Sequence, residues 1–175
     1  FFEYVKSLLG VQFSETSKFD QNNTLAFANN EQAYSGGYAT SPTHSSFQGS
    51  DVFISLLDDG KVITPTEFDY WFADVFVHEI GHALGLKHPH SEELAGTGSP
   101  GSEPPYLEGS EEHAIWTQMS YTGDVRKLEF SPLDIAALQY LYGVNPTSRA
   151  SDDTYLYKIS GSNFIWDGAG TDTID

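Results

Sequence analysis

Three histidines and a glutamate near the middle of the chain have the spacing of a metal site. His78 and His82 are four residues apart, so on a helix their rings lie one turn apart on the same face and can hold one metal ion. Glu79 is rotated off that face, where it can reach a water on the metal without being a ligand. Gly85 allows a sharp reversal of the backbone, after which His88 can supply a third nitrogen.

Three protein ligands leave one coordination position open, as in catalytic zinc sites and unlike closed structural ones. Zinc lowers the pKa of a bound water toward about 7 and polarises a carbonyl group, so Glu79 is expected to act as general base. The alternative is a chance alignment of surface histidines on an amphipathic helix, but the string from His78 to His88 fixes five positions. His90 could compete as a ligand; like His44 and His113, it has no partner at ligand spacing and is expected on the surface or in a loop.

A helix is predicted to carry this motif. Thr64 is placed to cap its start, with Pro65 in the first turn and Glu67 able to bond back to the cap. No helix breaker follows before Leu84, and Gly85 can take the left-handed conformation that ends helices. We expect a helix of about five turns.

The rest of the chain predicts short strands, one long loop and a second helix. Residues 89 to 118 are rich in Gly, Ser, Pro and Glu and predict an irregular loop of a length that is usually functional or mobile. The second helix is expected to be capped by Ser131, followed by Pro132, and to end at Gly143. Strands are predicted at Val11–Ser14, Thr24–Ala28, Tyr34–Ala39, Asp51–Leu57, Tyr155–Ile159 and Phe164–Trp166.

Composition narrows the possible partners. The 175 residues suffice for one domain with a real core, and 25 acidic against 8 basic residues give a net charge of −17. Such a charge repels nucleic acids and anionic membranes. The excess of acidic residues is explained either by an ordinary soluble surface or by calcium binding or adaptation to high salt. The absence of cysteine excludes disulfides and thiolate ligands. The chain lacks an initial Met and any signal-like start, so a targeting signal is expected outside it.

The extended histidine motif resembles that of the metzincin clan of zinc peptidases. Pro89 follows the third histidine, and Gln118-Met119-Ser120-Tyr121 looks like the Met-turn of the serralysin family, whereas matrixins usually have Ser after that histidine and astacins Glu. Residues 131–143 are similar to the last catalytic helix of the serralysins, and residues 166–172 to the entry into their calcium-binding repeats. The resemblance covers most of residues 50 to 175.

The resemblance implies roles for two residues of the Met-turn. Met119 would form the hydrophobic floor beneath the metal, and Tyr121 would be a switchable fifth zinc ligand that swings away to stabilise the oxyanion. By residue type alone, a methionine beside apolar residues usually fills space in the core, and a tyrosine usually packs half-buried at the edge of the core. A phenol near zinc can nevertheless donate to a developing negative charge.

The C-terminal segment suggests calcium. Asp167 and Asp172, with Ala169 and Gly170 between them, resemble a glycine-rich calcium turn built from carboxylate and carbonyl oxygens. The segment between Asp153 and Phe164 looks shorter than in the family, which leaves the upstream ligands open.

These observations predict an α/β (α+β) metzincin-like zincin fold, with a twisted, mostly parallel sheet, a long active-site helix and a second C-terminal helix. Residues 1–147 are interpreted as the catalytic domain, N-terminally incomplete relative to the family, and 148–175 as a connecting segment leading to calcium-binding repeats. The expected function is that of a secreted, monomeric zinc endopeptidase with Zn2+ and a possible Ca2+. Its protein or peptide substrates would bind in extended form, paired with Tyr34–Ala39, which could equally be an ordinary sheet strand.

Two alternatives stay open. The chain could be a non-catalytic metal-binding or adhesion module derived from a peptidase, although the presence of Glu79 argues against this. It could also be a matrixin-like metzincin, against which Pro89 and Ser120-Tyr121 argue.

Overall fold

The computed structural model describes residues 1–18, 21–32, 35–42, 49–58, 61–62, 70–91, 103–158 and 164–175. In these ranges the helices are α1 (Phe2–Leu8), α2 (Tyr70–Ala83) and α3 (Pro132–Tyr142), with a 3-10 turn at Gly109–Glu111. The strands are β1 (Phe27–Asn30), β2 (Gly37–Ala39), β3 (Val52–Ser55), β4 (Leu57–Asp58), β5 (Lys61–Val62), β6 (Thr154–Tyr155) and β7 (Thr173–Ile174). The chain divides into two compact units, one formed by residues 16–134 and the other by residues 1–15 and 135–175.

The unit of residues 16–134 contains a three-stranded mixed sheet. Its central strand, β3, runs parallel to β1 and antiparallel to β2, which leaves β2 at one edge. Strands β4 and β5 form a separate antiparallel pair. Because Val52 and Ile54 of β3 are buried, this face of the sheet belongs to the core.

Helix α2 packs against β2 and β3 in the same unit. Its buried side chains are Phe72, Val77, Ile80 and Ala83, and the last three follow one another at the three-residue interval that keeps side chains on one side of a helix. The same helix carries the first two histidines of the motif, so the packing against the sheet fixes their position.

The second unit contains α1, most of α3 and the parallel pair β6–β7. Val5, Leu8 and Leu9 are buried, as are Ile135 and Leu138 of α3. Backbone and side-chain hydrogen bonds join the two chain segments, among them Gly10 N to Gly143 O at 3.0 Å, Gln139 Nε2 to Leu8 O at 3.2 Å and Asn145 Nδ2 to Lys6 O at 2.7 Å.

The α+β fold class is confirmed, as are the helix after Ser131 and the helix end before Gly85. The predicted cap at Thr64 to Glu67 lies outside the described residues. Two strand predictions are wrong, since Val11–Ser14 and Phe164–Trp166 are irregular. A strand forms only where a ladder partner is available, and propensity alone does not reveal the partner.

Helix α1 was not predicted, because its seven residues carry no side-chain cap. None of the helices in the described ranges combines the length and the apolar character that crossing a membrane requires.

Candidate metal centre

The end of α2 sets the orientation of the second histidine. Gly85 has a φ of 97°, its N–H bonds to His82 O at 2.9 Å, and Leu86 N–H bonds to Gly81 O at 2.9 Å. This pair of bonds is a Schellman motif, which requires a left-handed residue at the position of Gly85. The same turn brings Leu86 O to 2.9 Å from Nδ1 of His82, so the end of the helix also fixes the imidazole.

The three histidines converge on one point. His88 Nε2 lies 3.2 Å from His78 Nε2 and 3.0 Å from His82 Nε2. His78 Nδ1 lies 2.8 Å from Gln118 O. A carbonyl oxygen can only accept a hydrogen bond, so the Nδ1 atoms of His78 and His82 donate, and their Nε2 atoms carry lone pairs directed at His88.

This donor set fits a zinc ion. Zn–N bonds of 2.0–2.1 Å in a tetrahedral site separate the nitrogens by about 3.3 Å, close to the separations seen here. Burial, together with the neighbouring His82 and His88 rings, lowers the pKa of His78 to about 3, and burial with the His82 and His90 rings lowers that of His88 to about 4. Burial also lowers the pKa of His82. The imidazoles are therefore neutral at physiological pH, which is the form that binds metal.

Glu79 is buried beside this trio. Burial raises the pKa of its carboxyl to about 8, and no donor among the described residues reaches its Oε2 atom. Strand β2 comes so close that a Cβ at Gly37 would lie 2.9 Å from Glu79 Cγ. A buried, unpaired carboxyl group next to a cation site can exchange protons with a bound reactant.

Met119 packs against the helix that carries two of the histidines. Its side chain is buried, and a Cβ at Gly81, between the two helical histidines, would lie 2.6 Å from its sulfur. The Met-turn is held from α3 by Asp134, whose carboxylate accepts hydrogen bonds from Thr117 Oγ1 and Gln118 N, both at 2.6 Å. It also accepts from Ser131 N at 2.9 Å, which is one of the two hydrogen bonds of a capping box.

Tyr121 reaches the same point from the Met-turn. Its hydroxyl lies 2.8 Å from His88 Nε2, and its ring stacks on His78 with centroids 5.5 Å apart. The side chain is 45% exposed, so the phenol has solvent on one side and the histidines on the other. A phenol in this place can contact both an ion on the histidines and a substrate oxygen.

His90, expected on the surface or in a loop, lies in a loop but is buried. Its ring is buried and stacks on His88 with centroids 5.3 Å apart, and its Nδ1 lies 3.3 Å from Glu112 Oε1. His90 is outside the group whose ligand atoms converge, which contains His78, His82 and His88. His113 is partly buried in the loop before the Met-turn, whereas His44 lies outside the described residues.

A cavity of about 230 Å³ opens beside Tyr121. Asp74 of α2 forms part of its wall, and Asp74 Oδ1 accepts a hydrogen bond from Gln118 Nε2 at 2.5 Å. The cavity is lined by Asp74, Ala114, Gln118, Ser120, Tyr121 and residues 123–126.

A second group of acidic side chains lies in the unit that contains β6 and β7. Carboxylate oxygens of Asp153, Asp167 and Asp172 lie within 4.8 Å of one another. Gly170 has a φ of 123°, where a Cβ would collide with the carbonyl oxygen of Ser151. The sequence pointed to Asp167 and Asp172 and left their upstream partners open; the acidic group also contains Asp153.

Comparisons with known proteins agree with this geometry. Residues 14–153 match the family model described as metallo-peptidase family M12B, reprolysin-like. The chain belongs to this metallopeptidase family. It is 34% identical to serralysin B of Dickeya chrysanthemi over 93% of its own length and 39% of that protein. It is 33% identical to serralysin C of the same organism, over 79% of its own length and 32% of that protein. It is 37% identical to a serralysin of Proteus mirabilis, over 57% of its own length and 24% of that protein.

These similarities confirm a serralysin-type metzincin. The chain spans less than two fifths of the length of the serralysins named above. The family implies Zn2+, which the donor set of the metallopeptidase fits. The similarity to serralysins and the position of the Tyr121 phenol at the site argue against the matrixin alternative.

The sequence did not predict roles for Asp134 and Glu112 near the histidines, or for Asp153 in the acidic group of the other unit. Asp134 was noticed only as a member of the second helix, although a Ser-x-x-Asp spacing indicates a cap. Glu112 was one of many acidic residues in a long loop, and nothing in its spacing indicated burial.

Proposed function

We propose that this chain is the catalytic domain of a zinc-dependent endopeptidase that hydrolyses peptide bonds in proteins. The observation that supports this best is the convergence of three Nε2 atoms from His78, His82 and His88 next to the buried Glu79. A closed structural site would have a fourth protein ligand, and among the described residues the converging group contains these three.

The residues supply the acid–base steps of amide hydrolysis. Zinc, when bound, would acidify water and polarise the scissile carbonyl. Glu79 takes a proton from the attacking water on its carboxylate and delivers it to the nitrogen of the leaving amine. The Tyr121 hydroxyl donates a hydrogen bond to the oxyanion that develops on the carbonyl oxygen.

The substrate binds in extended form along β2. This strand lies at the edge of the three-stranded sheet, and its Gly37 is next to Glu79, so a peptide added at this edge would pass close to the general base. Backbone hydrogen bonds would provide affinity with little demand on substrate sequence. The cavity beside Tyr121 would receive one side chain of the peptide. Tyr34 of the predicted strand lies outside the described residues.

We further propose that residues 1–147 form the catalytic domain of a secreted, monomeric enzyme, and that residues 148–175 lead into a calcium-binding region. Three carboxylates within 4.8 Å of one another, those of Asp153, Asp167 and Asp172, support one calcium site in this segment. Backbone oxygens near Ala169 and Gly170 would complete the ligands, since calcium takes six to eight oxygens.

The test is cleavage of an unfolded protein such as casein, with and without a chelator. Cleavage should stop when zinc is removed and return when zinc is restored. Glu79→Gln should retain stoichiometric zinc and lose about 1000-fold or more in kcat, because the variant cannot accept the proton.

The matched control is Glu111→Gln, which makes the same change at an exposed residue and should have wild-type activity. Chelator-insensitive cleavage, or full activity of Glu79→Gln, would contradict the proposal. A zinc-loaded wild type without any cleavage would support the non-catalytic module instead.

A further inference from the structure

The Glu112 carboxylate is buried behind the active site and contacts both neighbours of Tyr121. Its Oε1 atom accepts a hydrogen bond from Ser120 Oγ at 2.6 Å, and its Oε2 atom accepts one from Thr122 Oγ1. The side chains on either side of Tyr121 thus point to one carboxylate, while the Tyr121 hydroxyl points to His88 Nε2.

The same carboxylate holds a ring behind the third histidine. Oε1 lies 3.3 Å from Nδ1 of His90, whose ring is nearly parallel to that of His88, at 9° and 5.3 Å. The His90 ring also contacts the Tyr121 ring at 5.1 Å between centroids. Glu112 therefore contacts both sequence neighbours of Tyr121 and also the His90 ring, which stacks on His88.

The backbone around Glu112 is held in place. Glu112 directly follows the 3-10 turn Gly109–Glu111, and two residues after it the Ala114 N–H donates a hydrogen bond to Thr122 O at 2.9 Å. The segment before the Met-turn is thus tied to the segment after it by backbone and by side chain. Burial alone would raise the pKa of Glu112, but the hydrogen bonds from Ser120, Thr122 and His90 lower it, so the group is an anion at neutral pH.

We propose that Glu112 is a positioning residue, which fixes the backbone on both sides of Tyr121 and so places the Tyr121 hydroxyl for the reaction. This inference rests on the proposed peptidase function. Glu112 touches neither the metal ligand atoms nor the place of the substrate, and its effect passes through Ser120, Thr122 and His90. Displacing a catalytic group by about 1 Å costs roughly 100-fold in rate.

Two substitutions distinguish positioning of Tyr121 from a general contribution of Glu112 to the stability of the fold. Glu112→Leu removes every acceptor with little change in volume, whereas Glu112→Gln keeps one acceptor oxygen. Glu112→Leu should lower kcat by about 10- to 100-fold with KM within about 3-fold, and Glu112→Gln should recover part of the loss. Glu111→Gln is the control for a change of charge in the same loop.

The decisive comparison repeats both substitutions in a Tyr121→Phe background. If Glu112 acts through the phenol, Glu112→Leu should cost less than about 3-fold there, because the group that it positions is gone. An equal loss in both backgrounds would overturn the inference and leave the peptidase function intact.

A second readout does not depend on activity. Protein loaded with copper(II) in place of zinc should show phenolate-to-copper absorption in the wild type and in Glu111→Gln, and none in Tyr121→Phe. Glu112→Leu should lose about half of that band or more while binding copper stoichiometrically. An unchanged band, or none in the wild type, would overturn the inference. Should the wild type bind metal but cleave nothing, the proposed function fails and the band still tests Glu112.

Thermal unfolding of the metal-free variants shows whether they fold. If Glu112→Leu does not fold, Glu112→Gln carries the test with the same two readouts. A Glu112→Gln protein that matches the wild type in kcat, and in the copper band, would then count against the inference.

Discussion

The sulfur of Met119 occupies the space that a side chain at Gly81 would need, 2.6 Å from the position of a Cβ. Gly81 lies one residue before His82 on α2, so this contact joins the helix that carries two histidines to the turn beneath them. Since both residues belong to the buried layer under the site, neither can move without disturbing the other.

Gly81→Ala should therefore destabilise the protein. Alanine favours a helix over glycine by about 0.5–1 kcal/mol, but overpacking of a core costs about 1–3 kcal/mol, so we expect a net loss of about 1–2 kcal/mol in the free energy of unfolding. Urea unfolding of the metal-free protein measures it. In a Met119→Ala background the same change should be neutral or stabilising, and an equal cost in both backgrounds would show that the contact is not responsible.

Gly37→Ala should impair catalysis more than metal binding. The new methyl group would lie 2.9 Å from Glu79 Cγ and 3.1 Å from Phe53 O, so the Glu79 side chain must shift. We expect kcat to fall by about 10- to 100-fold, whereas the zinc content, measured by atomic emission, should not change. Ala39→Ser, which adds one atom two residues along the same strand, is the control. If both variants lose activity equally, the contact with Glu79 is not the cause.

Stability of the metal-free protein should decrease as pH rises above neutrality. The pKa of Glu79 is raised from 4.5 to about 8, so its contribution is present at low pH and is lost as pH rises through 8. The three histidines have lowered pKa values and contribute the opposite slope only below about 6.5. Between pH 6.5 and 8 the free energy of unfolding should fall by about 1–2 kcal/mol because of Glu79.

Urea unfolding at several pH values measures this slope. Glu79→Gln, which does not titrate, should show a flatter curve over the same range. A slope that is the same in both proteins would mean that the Glu79 carboxyl is ionised in the metal-free fold.

Asp134→Ala should loosen the Met-turn. It leaves the Gln118 and Ser131 N–H groups and the Thr117 hydroxyl without their buried acceptor. Each buried donor left unsatisfied costs about 1–3 kcal/mol, and we expect a total loss of about 3 kcal/mol in the free energy of unfolding. Asp134→Asn keeps one acceptor oxygen and should cost less. Equal effects of the two substitutions in urea unfolding would contradict this account.

Calcium should stabilise the zinc-loaded protein through the C-terminal carboxylates. A ligand that binds only the folded state raises Tm, and we expect a rise of about 3–8 °C in excess calcium. Asp153→Asn and Asp172→Asn should each reduce the rise in differential scanning calorimetry, whereas Asp124→Asn, in the other unit, should not. A rise that survives both substitutions would place the ion elsewhere.

The sequence was informative where chemistry is local. His78 and His82 share a face because helical spacing requires it, and Gly85 must adopt a positive φ for the helix to end there. Tyr121 and Met119 were found only through the family resemblance, because nothing in a single tyrosine or methionine indicates what lies across the site.

The unpredicted residues have partners far away in the sequence. Glu112 and Asp134 look like surface acids among many others. The fold shows that two hydroxyl groups donate to Glu112, and that one hydroxyl and two backbone N–H groups donate to Asp134. The same reason explains why the burial of His90 was not predicted: the ring lies in a loop, as expected, but its contact with Glu112 is 22 residues away in the sequence.

The Schellman turn at Gly85 has a consequence for biosynthesis. All three histidines lie between positions 78 and 88, so the whole ligand set leaves the ribosome before Met119, Tyr121 and Asp134. Metal loading and the ability to cut would then be separated in time, because the phenol and the turn beneath the ion arrive later.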